Sequence, residues 1–337
     1  VLSAFDGGTV MLEGRVGEVG CFGKLPLSPE FIRVNAKGPT LQAFDQWIQE
    51  GLLWCRAKLG PQWRNDFLQS ETWHFLFQVP KKNEWLIGVI APSQDKAGRG
   101  FPMMLFLRFE NRSGDQKLIP MLPLLLQEFL EKAKNLLQEE WKNLSLVEFR
   151  EKVENLIHIS PLKQEQVRQL YSEFLNSYSL MAFLRMCGVS TQCLTELDVK
   201  AMVEEMVTEN RPSMNSQKGQ LMTFPLIDEP AFPFEIPFWM EYVSSINGTH
   251  MSAPLLFWNK CPSNGRAVLL TQDAPLAPKS FWSLIHSDKN LEKAWKMHPS
   301  KDAPEMPLED ETLKAGDQST DNVKGNTLNS LLLGQPI

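Results

Sequence analysis

The chain has 337 residues, 43% hydrophobic and 10% aromatic, enough apolar mass for one large domain or two ordinary ones. Its formal net charge is −6, and its 34 basic residues form no dense Lys/Arg run, which excludes the usual footprint of a nucleic-acid partner. The longest helix-like apolar stretch, 118–130, contains Pro120, Pro123, Gln127 and Glu128 and falls short of the ~20 residues that span a bilayer, so no membrane span is expected.

Residues 1–13 read as an N-terminal extension. Its first twelve residues have neither a basic segment nor a continuous apolar one, so no secretory signal is expected. From 16 to 22 the pattern is that of a strand, ending in Gly23-Lys24-Leu25-Pro26, after which Ser28 is positioned to cap a helical turn running through Ile32. From Pro39 to Leu59, Leu41, Phe44, Trp47, Ile48, Leu52 and Leu53 recur at three- and four-residue spacing until Gly60-Pro61 stops them. That spacing predicts a long amphipathic helix, and Trp63 and Phe67 extend a shorter one.

Trp73–Val79, Trp85–Ala91 and Pro102–Phe109 predict three successive strands of an antiparallel meander. They are apolar on both faces, which requires helices above and below the sheet. A helix is expected over 120–141, with Leu122, Leu125, Leu126, Phe129, Leu130, Ala133, Leu136 and Leu137 on one stripe, and further helices over 145–157, 161–186 and 195–208. Strands return at 221–227, 254–259 and 266–271, with an aromatic helix around 236–246. The expected fold is α/β: a mixed, partly antiparallel central sheet with helices on both faces, in one domain over 14–286 with a helical excursion at 142–210. Residues 287–337, poor in aromatics and rich in Asp, Glu, Lys and Pro, read as a flexible acidic tail, and the cluster 328–333 reads as a frayed terminus rather than a docking segment.

The segment Pro92-Ser93-Gln94-Asp95-Lys96-Ala97-Gly98-Arg99-Gly100, followed by Phe101-Pro102, is a polar turn with an Asp and an Arg four residues apart. Glycines at 98 and 100 admit unusual backbone angles and the prolines pin the approach, so the turn should hold one shape. Ser93 or Asp95 would cap a short step and Arg99 would pair with Asp95 or a strand end. The same corner could bind an oxyanion, since Arg presents a planar fork. Lys24 follows a glycine, but Gly20-Cys21-Phe22-Gly23-Lys24-Leu25 lacks the spacing and hydroxyl of a phosphate loop.

Ser93 lies in no Gly-x-Ser-x-Gly elbow, although Ser93, Asp95 and Arg99 with His74 define a rival reading as a hydrolase or phosphate-ester enzyme. The cysteines at 21, 55, 187, 193 and 261 and the scattered histidines make no metal signature, so no metal or cofactor is expected. Their odd number and apolar settings suit reduced thiols in a cytosolic protein.

Several strings in order resemble the TagF (ImpM) family of bacterial type VI secretion accessory proteins. They are Gly20-Cys21-Phe22-Gly23-Lys24-Leu25-Pro26 with Phe31, Asp45 and Trp47; Trp73-His74-Phe75; Trp85-Leu86-Ile87-Gly88-Val89; and Pro92 through Pro102. A weaker match follows at Ser252 to Trp258, Asp273-Ala274-Pro275 and Phe281. The resemblance implies a cytoplasmic, non-enzymatic post-translational repressor of type VI secretion. It would act by protein–protein binding, in some systems on a scaffold with a forkhead-associated domain. Lys24, Ser93, Asp95, Arg99 and Phe101 are the expected partner contacts. A structural subunit of the secretion apparatus is a further alternative.

Overall fold

A computed structural model of the chain describes residues 15–79, 82–111, 118–156, 164–189, 195–209, 221–227, 234–247, 255–259, 268–272, 277–285 and 327–332. Strand β1 (Arg15–Gly23) is followed by β2 (Ile32–Val34), α1 (Pro39–Leu59), α2 (Trp63–Leu68), β3 (Trp73–Gln78), β4 (Glu84–Ala91) and β5 (Met103–Glu110). Helices α3 (Leu118–Leu125), α4 (Gln127–Gln138), α5 (Leu146–Glu154), α6 (Gln164–Ser177), α7 (Leu180–Met186) and α8 (Glu196–Glu209) come next. The late part holds β6 (Leu221–Pro225), α9 (Glu235–Asn247), β7 (Leu255–Asn259), β8 (Val268–Gln272), α10 (Phe281–Ile285) and, near the C-terminus, a short helix α11 (Leu328–Leu332).

The described strands form one eight-stranded sheet in the order β2-β1-β5-β4-β3-β7-β8-β6. The meander β3-β4-β5 is its middle, and the late strands join the same sheet, as their apolar runs require. Every pairing between the described strands is antiparallel, so the sheet is more regular than the mixed one expected from sequence.

Alternation along the strands sorts side chains between two cores. Phe75, Phe77, Leu86, Ile90, Met104, Phe106 and Phe257 point to the layer of α1, α2 and α10, where they meet Phe44, Trp47, Phe67 and Phe281. Leu76, Ile87, Val89, Leu105, Leu107 and Trp258 point the other way, to the layer of α3 to α9 and α11. The expected arrangement of helices on both faces is thus present.

Three local expectations change. Ser28 caps no helix: its hydroxyl accepts from the Glu30 N–H at 3.1 Å within a turn, and Ile32–Val34 becomes an edge strand paired with Cys21–Gly23. A short β-branched run beside an open strand edge gains more from ladder hydrogen bonds than from a single helical turn. The helix expected over 120–141 breaks at Leu126, which leaves helical geometry (φ −109°) after a first helix containing Pro123. The segment 161–186 likewise splits, because Ser179 takes an extended conformation and its hydroxyl caps α7 by accepting from the Ala182 N–H at 3.2 Å.

The cluster at 328–333 does not fray where it is described. Leu328 and Leu331 are buried against α6 and α9, the Leu328 N–H donates to the Tyr178 carbonyl at 2.9 Å, and the Asn329 amide donates to Asn176 Oδ1 at 3.0 Å. Residues 286–326, which carry most of the expected tail, lie outside the described residues, as does the expected match at Asp273-Ala274-Pro275.

Candidate functional site

The turn between β4 and β5 is a short extension of their hairpin. The Phe101 N–H donates to the Ser93 carbonyl at 3.0 Å and Gln94 bridges Gly100, after which the chain reverses over Asp95 to Gly98, closed by the Gly98 N–H on the Asp95 carbonyl at 2.8 Å. Gly98 has φ +81°, a left-handed conformation that a residue with a Cβ adopts at a cost.

Asp95 holds this shape. Its Oδ1 accepts from the backbone N–H groups of Ala97 (3.0 Å) and Arg99 (2.9 Å), and its Oδ2 from Lys24 Nζ (2.9 Å) and Arg99 Nε (2.7 Å). The carboxylate is buried, Lys24 nearly so, and the Arg99 side chain is 60% exposed. Burial on its own would raise the Asp95 pKa. The hydrogen bonds from Lys24 and from the Arg99 backbone and guanidinium outweigh it and hold the carboxyl well below its ordinary 3.8. A carboxylate kept ionised and covered by donors is poorly placed to exchange a proton near neutral pH.

The turn is also tied to the loop after β1. The Lys96 N–H donates to the Ser28 carbonyl at 3.0 Å and Arg99 Nη2 to the Pro29 carbonyl at 2.5 Å. Beneath it, Phe101 packs edge-on against Phe31 (4.9 Å) and Phe22 (5.9 Å), and Lys24 Nζ lies 4.9 Å from the centre of the Phe31 ring. Gly23 has φ +143°, and a Cβ there would fall 2.1 Å from the Pro102 carbonyl oxygen. The Gly-Lys-Leu-Pro and Phe-Pro strings are therefore two halves of one joint, which their separation in sequence conceals.

Of the residues expected to contact a partner, Lys24, Ser93, Asp95 and Phe101 are buried and Arg99 alone is exposed. The four buried ones reach a partner only through the shape they give the turn. This matches the structural role expected for Asp95 and Arg99. His74 is placed differently: its ring stacks on Trp258 (5.4 Å between centroids) and Nε2 lies 4.0 Å from Glu131 Oε1 on α4. Asp95 spends its oxygens on Lys24, Ala97 and Arg99, so it does not orient His74 in the manner of a triad.

Sequence reasoning missed the groups that frame the exposed side. Arg64 Nη2 donates to Gln94 Oε1 at 2.8 Å, and Arg56 stacks over Trp63 at 4.4 Å. Their only signal was that residues 51–65 contain three cations and no acid. Among the described residues no group of three or more His, Cys, Asp or Glu is arranged to hold a metal ion, and no helix is long and apolar enough to cross a membrane.

Residues 20–156 match the family model described as the TagF N-terminal domain, type VI secretion system-associated. The chain thus carries a type VI secretion-associated domain, and the matched stretch holds the β1 joint, the turn and α1 to α5. No curated protein matches the chain at a significant level. The crystal structure of PA0076 from Pseudomonas aeruginosa PAO1 aligns over 87% of this chain and 100% of its own, at 15% identity and a TM-score of 0.45.

Proposed function

We propose that the chain is a cytoplasmic, non-enzymatic regulator that restrains a type VI secretion system by binding one of its proteins, with a scaffold bearing a forkhead-associated domain as the partner. The TagF N-terminal domain supports the secretion context. The observation that favours binding over turnover is the saturation of Asp95. Four donors fix its carboxylate, so this polar corner is braced from inside and presents a rigid outer rim.

Deleting the gene should raise secretion, read as effector protein in the medium. Pull-down from cells carrying the secretion cluster should recover the scaffold with the wild type and less of it with Arg99→Ala, the variant's melting temperature confirming that it is folded. Unchanged or abolished secretion on deletion would refute repression. Loss of a hydrolytic activity in Ser93→Ala would replace binding with catalysis.

A further inference from the structure

We infer that the outer side of α1, α2 and the 92–100 turn forms a basic, aromatic strip that docks an acidic segment of a partner protein. The inference rests on the proposed function and adds the location and chemistry of the contact.

The strip is continuous. Trp54 meets Trp282 edge-on at 5.6 Å, with Lys58 Nζ 5.8 Å from the Trp54 ring. Arg56 lies over Trp63, which stacks on Phe67 at 6.0 Å, and Arg64 reaches across to Gln94 on the turn that carries Lys96. Leu53 is 61% exposed one helical turn before Arg56 and Ala57, an apolar residue left beside the cations.

Arg56, Lys58, Arg64 and Lys96 are all exposed, and none is paired with a carboxylate among the described residues. On the opposite layer, Lys132, Lys142 and Lys152 are paired with Glu128, Glu139 and Glu140 at 2.6, 2.9 and 2.5 Å, while Arg150 is exposed without such a pair, so it is the grouping of cations with aromatic rings that marks the strip. Arg56 and Lys58 do complement the C-terminal end of the α1 dipole, but that accounts for neither Arg64 nor Lys96.

Cations held over indole rings, with an exposed leucine beside them, suit a segment that presents carboxylates together with apolar side chains. Arg and Trp are also the residues that dominate binding energy at protein interfaces. A phosphate backbone would call for a denser array of cations with less apolar surface between them.

The test places a photo-reactive amino acid at Ala57 in the full chain, in cells carrying the secretion cluster, and identifies the cross-linked peptides by mass spectrometry. A second probe at Val147, exposed on α5 on the other face, is the control. The expected product at Ala57 is an acidic segment of another protein, with yield falling about tenfold in Arg56→Glu/Arg64→Glu and in Lys58→Glu/Lys96→Glu while the Val147 products do not change. The inference is overturned by an adduct with a neutral or basic peptide, lipid, nucleic acid or the acidic stretch 302–321 of this chain, by a yield indifferent to charge reversal, or by no adduct. The two charge-reversed pairs act independently, so misfolding of one leaves the other to decide. Gene deletion separates the two ideas: if it raises secretion and no acidic adduct forms, the docking surface alone fails. If secretion is unchanged while an acidic adduct forms, the regulatory role fails.

Discussion

Asp95 and Lys24 are 71 residues apart in the chain and 2.9 Å apart in the fold, and both are shielded from water. Removing one partner of such a pair leaves the other charge buried, which costs about 3–5 kcal/mol. Asp95→Asn should therefore lower the urea midpoint strongly at pH 7. The pH dependence has a definite sign: the folded pKa lies below the unfolded one, so the carboxylate contributes its stability above the ordinary value of 3.8 and loses it as pH falls through the lower folded value. Urea titrations at pH 7 and pH 3 should show a drop in wild type that is smaller in Asp95→Asn. The cysteines give a separate check. Burial pushes the Cys21 thiol up to about 12 and the Cys55 thiol up to about 11, whereas Cys187 is half-exposed. Peptide-level alkylation at pH 8 should label Cys187 well before Cys21 and Cys55, and should reach those two at comparable rates only after unfolding.

Among the elements, α11 makes the sharpest claim, because the sequence pattern at 328–333 favours a loose end and the fold buries it. Leu328 is fully buried against the α6 and α9 layer, so Leu328→Ala should cost about 2–5 kcal/mol of unfolding free energy. A cost near zero would mean that the segment is not docked. The contrast with α1 shows what was legible. Regular spacing of Leu41, Phe44, Trp47, Ile48 and Leu52, closed by Gly60-Pro61, carries its own boundary information, and the helix runs from Pro39 to Leu59 as expected. Strands β3, β4 and β5 were readable for the same reason, as long apolar runs with polar separators. Strand β2 was not, because three residues pair only once the edge of β1 exists, and the breaks at Leu126 and Ser179 depend on local backbone competition that a continuous apolar stripe masks. At the site, the turn and its Asp95–Arg99 pair were visible in spacing. The burial of Lys24 and Phe101 was not, since it is created by contacts between segments remote in sequence.

In the molecule as a whole, the stretch that matches the TagF N-terminal domain is not closed by itself. One edge of β3 pairs with β4, but the other pairs with β7, about a hundred residues beyond the matched end at residue 156. The indoles of Trp47 and Trp73 donate to the carbonyls of Ala277 and Leu284, also outside it. Residues 15–156 expressed alone should aggregate or dimerise through the bare β3 edge, and co-expression with residues 221–285 should restore solubility, measured by size-exclusion chromatography. The strand at stake reads Trp-His-Phe-Leu-Phe-Gln, and its partner emerges ~180 residues later. At about 5–20 residues per second, a ribosome leaves that sticky ribbon unguarded for roughly 9–35 s, long enough for a nascent chain to need a chaperone's shelter before its own C-terminal third arrives.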